Sequence, residues 1–182
     1  MILETKRCLM REWKTSDAEM LYKYASHPDI GYAAGWNAHT SIENSREIIK
    51  NVLSLPETYA ILLKKLGNVV GSIGLKIGKY SNKNIQDNEA EIGYWIGVPF
   101  WGQGLVPECL SEILKYGFNE LGLTKIYGAY FDDNIRSKKV LEKCNFKYSH
   151  TIHNATCAIK ELFRTEHIMF LTKDKFFGNT FA

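Results

Sequence analysis

The segment Trp101-Gly-Gln-Gly-Leu-Val106 has the residue types to grip an anion without a charged side chain. Gly102 and Gly104 lack a Cβ, so the chain can turn sharply there and a ligand can approach the main chain. The turn follows the apolar run Glu91-Ile-Gly-Tyr-Trp-Ile-Gly-Val98 and precedes Pro107. Proline suits a first helical turn, where its missing N–H has no intrahelical role. A strand that turns into a helix in this way leaves the N–H groups of Gln103, Gly104, Leu105 and Val106 facing outward. The positive end of a helix dipole lies behind them. Phosphate is the anion suited to such a place. No Gly-Lys-Ser/Thr ends the turn, so it is not a Walker loop. Pro107 stands where a dinucleotide fingerprint needs its third glycine.

A second chemistry-bearing segment runs from Asp133 to Phe146. Asn134 can cap a helix whose first turn holds Ser137, and a ligand role for either residue can coexist with capping. Arg136, Lys138 and Lys139 put positive charge on that helix, as a solvated face or as partners for a phosphate. Glu91 and Glu89 lie on the strand before the turn. Gly93 and Gly97 are unusual in a strand interior and mark a bulge or a close backbone approach.

The elements that must position these residues are readable from periodicity and caps. Residues 6–13 read as a strand, and Thr15-Ser16-Asp17 caps a helix carrying Met20, Leu21 and Tyr24 that His27-Pro28 closes. Residues 29–40 read as a loop holding Gly31, Gly35 and Trp36. Thr40 or Ser41 caps a second helix reaching Leu53. Residues 59–66 and 69–77 read as strands joined at Gly67-Asn68, and 81–88 as a polar loop. Residues 89–98 form the next strand. Helical spacing then links Leu105, Cys109, Leu110, Ile113, Leu114 and Phe118. Strands at 125–131, 147–153 and 166–172 and a short helix at 135–144 complete the chain. The fold class is therefore α/β (α+β), with helices on one curved mixed sheet.

The chain has 182 residues, 45% hydrophobic and 24% charged, which fits one domain over 1–182 with a sizeable core. A net charge of +3 spread along the chain argues against direct nucleic-acid binding. The first residues lack the apolar core of a signal peptide, and no run reaches the roughly 18 apolar residues of a membrane span. The expectation is a cytoplasmic protein without a membrane partner. Cys8, Cys109, Cys144 and Cys157 are widely spaced, and His150 and His153 fall on opposite strand faces, so reduced thiols and no metal are expected.

Glu91-Ile-Gly-Tyr-Trp, Phe100-Trp-Gly-Gln-Gly104, Asn134-x-x-Ser137, Leu141-Glu142-Lys143 and Phe146 together resemble the GCN5-related N-acetyltransferase (GNAT) family. The likeness is to its branch of ribosomal-protein N-terminal acetyltransferases, and element order agrees across nearly the whole chain. The resemblance implies a curved sheet of about seven strands, splayed in the middle, with about four helices. It implies acetyl-CoA as cosubstrate, its diphosphate on the turn amides and its pantetheine arm beside Trp95, Ile96, Gly97 and Val98. Asn134 and Ser137 would meet the same arm. Trp36, Tyr32 and the segment 154–164 would shape the acceptor pocket, with core packing the other reading for Trp36. Dimers are frequent in such families, so a homodimer is compatible.

Two positions depart from the family pattern. Asn145 replaces a glycine and tolerates left-handed geometry next best. Leu141 replaces a tyrosine that serves the leaving thiolate, so that role passes to Ser137 or a water. Acetyl transfer to an amine also needs a donor for the developing oxyanion, most simply a strand N–H of Ile96 or Gly97. It needs a neutral amine as well. That costs about 4–5 kcal/mol for lysine at neutral pH but only about 1 kcal/mol for an α-amine. Glu91 is the candidate base, with an exposed ion-paired strand residue as its other reading and Glu89 as a weaker choice. The acceptor would be a protein N-terminal α-amine or a small-molecule amine; the alternative is a non-catalytic CoA-binding sensor or interaction module.

Overall fold

The computed structural model describes residues 1–178. Eight strands form one sheet: β1 (Ile2–Glu4), β2 (Cys8–Glu12), β3 (Thr58–Leu63), β4 (Asn68–Ile77), β5 (Glu89–Ile96), β6 (Lys125–Phe131), β7 (Lys147–Thr156) and β8 (Phe163–Thr172). Their order is β1-β2-β3-β4-β5-β6-β8-β7. Only β5 and β6 run parallel. Six helices join them: α1 (Ala18–Ala25), α2 (Pro28–Ala34), α3 (Ile42–Ile48), α4 (Leu105–Asn119), α5 (Ile135–Lys143) and α6 (Lys173–Gly178).

Four expectations are corrected. The run 6–13 is preceded by a further short strand, because Thr5 folds the chain back and its Oγ1 accepts from the Cys8 N–H at 2.9 Å. The sheet thus has eight strands rather than about seven. The segment 29–40 is not all loop. Its first half is α2, where the His27 ring accepts from Asp29 N–H and Pro28 occupies the first turn. With α6 after the last strand, the α-helices among the described residues number six rather than about four. The β3–β4 connection spans Lys64 to Gly67, longer than a two-residue turn at Gly67-Asn68.

Alternation sorts the side chains of β5. Ala90, Ile92 and Ile96 join the larger core, under Cys109, Leu110, Ile113 and Leu114 of α4. Trp95 packs on the smaller core of Trp13, Leu21, Ala25, Ile49 and Val69 on the other face. Asn145 ends α5 at φ 65°, the left-handed role expected of it.

The feature that positions the site is the parting of β5 from β6. They pair only from Glu89↔Lys125 to Ile92↔Gly128. Beyond that β5 stays on β4 as far as Ile96↔Gly71, and β6 stays on β8 as far as Phe131↔Glu166. Each strand keeps its outer neighbour and loses the inner one, so a wedge opens. Leu141 of α5 closes its apex, packed so tightly on Gly128 that a Cβ there would lie 2.5 Å from Leu141 Cδ2. Gly128→Ala should therefore overpack the apex and cost about 1–3 kcal/mol, read from the urea midpoint. An unchanged midpoint would mean that the apex yields freely.

Candidate active site

The glycine turn before α4 has the expected backbone. Trp101 is extended (φ −62°, ψ 150°), Gly102 turns at φ 73°, and Gly104 (φ 72°) enters α4 left-handed. No side chain caps α4. Among the described residues no oxygen accepts from the N–H groups of Gly104, Leu105 or Val106. The side chains of Leu105 and Val106 are buried in the core, so these residues present only main chain outward. The Gln103 side chain turns back to donate to Pro99 O at 2.9 Å. Trp101 Nε1 donates to Ile96 O at 2.9 Å, tying the turn to the strand end, and Arg136 stacks over the Trp101 ring at 3.8 Å. Arg136 is therefore occupied, and Lys138 lies 3.9 Å from Glu142.

Glu108 introduces a negative charge one turn into α4, which would repel an anion held there. The β1–β2 turn neutralises it. Thr5 Oγ1 donates to Glu108 Oε1 at 2.6 Å, Arg7 N–H to the same oxygen at 2.8 Å, and Arg7 Nε to Oε2 at 2.6 Å. Partial burial pushes the Glu108 carboxyl up, but these hydrogen bonds and the guanidinium charge outweigh it and hold the group below its ordinary value. Arg7 Nη1 also donates to Gln103 O at 2.9 Å, and Nη2 lies 3.7 Å from where a Gly104 Cβ would be. Sequence reasoning missed Thr5, Arg7 and Glu108, and no local pattern links residues 101 apart.

The wedge exposes the inner edge of β5. Gly97 N–H donates to Val70 O at 2.8 Å, which makes the neighbouring Ile96–Gly71 a non-hydrogen-bonded pair. The main-chain groups of Ile96, and of Tyr94 two residues earlier, then point away from β4 into the wedge. Ile96 O takes the Trp101 ring N–H, and Ile96 N–H faces the gap. Gly97 is corrected on two counts. Its N–H is already bonded to Val70, and its lack of a Cβ serves packing, since a Cβ would lie 2.7 Å from the Tyr24 ring. Val98 has left the strand for a 3-10 turn.

The carboxylates of β5 are both engaged. Glu91 accepts from Ser81 Oγ at 2.8 Å and lies 3.5 Å from Lys83 Nζ, which also bonds Glu166. Glu89 is buried against Lys125 at 3.2 Å and accepts from Gln86 N–H. Gly93, between Glu91 and Trp95 on the same face, has open space above it. Trp36 meets Trp95 edge-on at 6.2 Å and His39 at 5.3 Å. Tyr32 is half-exposed, with Arg164 stacked on its ring and bonded to its carbonyl. The 154–164 segment docks beside them through Ala158 N–H to Gly35 O at 2.8 Å.

Asn134 caps α5 by accepting from Ser137 N–H at 3.1 Å, while its amide donates to Ala33 O at 2.9 Å. Both ends of the carboxamide are thus bonded within the protein, which sets its capping role ahead of a ligand role. Leu141 is wholly buried. Ser137 lies on the α5 wall of the wedge, and its Oγ is 2.9 Å from the Tyr94 hydroxyl. Strand alternation alone could not say whether Tyr94 or Trp95 faced this side.

A sheet that parts beside a glycine turn with free helix amides suits a transferase fold, and comparison with known proteins gives its family. The sequence signature of the acetyltransferase (GNAT) domain family matches residues 7–147. The chain is 29% identical over 150 residues to the uncharacterized N-acetyltransferase p20 of Bacillus licheniformis, covering 80% of this chain and 82% of that protein. Its fold matches the ribosomal-protein-S5-alanine acetyltransferase of Vibrio fischeri (TM-score 0.72, 18% identity, 97% of this chain and 98% of that one). It also matches the microcin C7 self-immunity acetyltransferase MccE, solved with acetyl-CoA and AMP (TM-score 0.75, 19% identity, 92% and 93%). The chain belongs to the GNAT family and is an acyltransferase. No helix among the described residues is long and apolar enough to cross a membrane.

His39 offers a test of the packing beneath Trp36. Its ring is buried, 2.8 Å from Ser45 Oγ, and burial holds its pKa below the ordinary value of about 6.5. The folded state therefore resists a proton that the unfolded chain accepts. Stability from this group is full above pH about 6.5 and falls as pH drops below it, by at most about 1.4 kcal/mol per unit. Urea midpoints between pH 7 and 5 should fall less steeply in His39→Gln than in the native protein. Parallel slopes would show that His39 titrates alike in both states.

Proposed function

We propose that this protein transfers an acetyl group from acetyl-CoA to a primary amine, and that the amine is a protein N-terminal α-amine. The observation that carries the reading is the set of free N–H groups at Gly104, Leu105 and Val106, flanked by Arg7 at the mouth of the wedge. They fit a diphosphate, with Gly102 and Gln103 shaping the turn. The β5 edge from Tyr94 to Ile96 fits a pantetheine arm that pairs as a strand would. The chemistry supplied by the cosubstrate is an activated thioester carbonyl.

The protein's own groups do the rest. Ile96 N–H is placed to donate to the carbonyl oxygen as it gains charge. Ser137 is placed to donate to the departing sulfur. The proton lost from nitrogen passes through water toward Glu91, on the face of the sheet where Gly93 leaves room and Trp95 and Trp36 form a wall. Glu91 and Glu89 are both ion-paired, so the strand presents no unengaged carboxylate. Such a site suits an amine that needs little deprotonation. An α-amine meets that condition at about 1 kcal/mol, whereas a lysine side chain costs about 4–5 kcal/mol. Resemblance to the ribosomal-protein branch supports the same acceptor.

The direct test incubates the protein with acetyl-CoA and a proteome extract and maps new acetyl groups by mass spectrometry. Acetylation of peptide α-nitrogens is expected. Acetylation of lysine side chains or polyamines alone would overturn the acceptor, and tight CoA binding with no acceptor-dependent thiol release would favour a non-catalytic module. The carrier site has its own check. Gly104→Asp places a carboxylate among the amides and should weaken CoA binding about tenfold or more by calorimetry, with the fold retained. Unchanged affinity would remove the phosphate assignment.

A further inference from the structure

Leu141 leaves this chain without the tyrosine expected on α5, yet a phenol reaches the same wall of the wedge from a different element. Tyr94 rises from β5 two residues before Ile96. Its hydroxyl lies 2.9 Å from Ser137 Oγ and 3.3 Å from Ser137 O, one helical turn before Leu141. The contact spans the stretch where β5 and β6 have parted, since their pairing ended at Ile92↔Gly128. The Asn134 cap fixes Ser137 from the backbone side.

We propose that Tyr94 is a positioning residue that directs the Ser137 hydroxyl into the wedge, so that this hydroxyl donates to the sulfur leaving during acetyl transfer. The inference rests on the reading of this chain as a CoA-dependent acetyltransferase and adds the residue that orients its leaving-group donor. A serine hydroxyl has one proton. The phenol also has one proton, which can go to Ser137 O at 3.3 Å or to Oγ at the shorter 2.9 Å; when it goes to Oγ, the serine proton is free to point at sulfur. Without the phenol, the serine proton can rotate to other acceptors, including carbonyls of its own helix.

Thermodynamics decides between hydrogen bonding and proton transfer. A thiol has a pKa of about 8.5 and a phenol about 10, and burial raises Tyr94 further. A serine hydroxyl is weaker still as an acid. Moving a proton from either group to the thiolate runs uphill, so the pair donates hydrogen bonds and keeps its protons. In the balanced step the C–N bond forms, the C–S bond breaks, and sulfur leaves with the electron pair. The nitrogen proton passes through water toward Glu91, and the thiolate is protonated from solvent.

The test titrates the thiol of bound CoA by its ultraviolet thiolate absorbance, a readout that needs no acceptor. In the native protein the bound thiol should titrate below about 8.5. Tyr94→Phe should raise that value by about half a unit to one unit while CoA affinity stays within about twofold, as expected for loss of one oriented hydrogen bond. Ser137→Ala should raise it at least as far, and the double variant no further. With a competent amine, Tyr94→Phe should lower kcat about three- to tenfold with KM for acetyl-CoA unchanged. An unshifted thiol in Tyr94→Phe despite tight binding overturns the inference alone, as do additive effects in the double variant. Failure of the native protein to bind CoA overturns both the inference and the reading beneath it. Circular dichroism of each variant excludes misfolding as the cause.

Discussion

A protein interior rarely tolerates main-chain N–H groups without partners, because each one left dry costs a hydrogen bond's worth of free energy. Here the sheet opens at one place, and the consequences concentrate there. Once β6 leaves β5 after Gly128, the edge from Tyr94 to Ile96 faces a wedge. The following turn then leaves the first amides of α4 without acceptors. The tie from Trp101 Nε1 to Ile96 O holds the turn against the end of that strand edge. An extended carrier with an anionic end would satisfy both sets of groups, and the proposed carrier site rests on that match.

Electrostatics around the turn follows from that arrangement. A fifteen-residue helix points its positive end at the site. Glu108 would cancel part of this field, and the Thr5–Arg7 grip on its carboxylate restores it. The same grip fixes α4 against the β1–β2 turn, so one interaction sets both charge and position. On the opposite flank, Arg136 over Trp101 adds a second cation held by a ring rather than by a carboxylate.

The two walls of the wedge differ in what they can do. The α5 wall supplies hydroxyls, with Ser137 joined to Tyr94 and Leu141 filling the apex. The open face of β5 supplies room above Gly93, aromatic walls at Trp95 and Trp36, and carboxylates already paired with lysines. In the proposed reaction such a site would stabilise charge at the carbonyl and at sulfur more strongly than it withdraws protons, which is the balance that favours the proposed α-amine acceptor.

Much of this was legible in the chain itself. Local signals had local causes: paired glycines before a proline, amphipathic spacing from Leu105 to Phe118, Ser41 and Asn134 as caps, and Asn145 as a left-handed stop. Element order and family followed from them. The missed pieces were of two kinds. α2 was hidden because His27-Pro28 stops one helix and starts the next, and β1 because three residues carry no period. The commitments of Gly97 to Val70, Asn134 to Ala33, Glu91 to Lys83 and Glu108 to Arg7 depend on strand order and register. Sequence alone determined that the strand turns through paired glycines into a helix, because turn and helix chemistry is settled within a few residues. The tertiary structure decided which neighbours are engaged and which amides stay free, because those partners come from chain segments that only the folded sheet brings together.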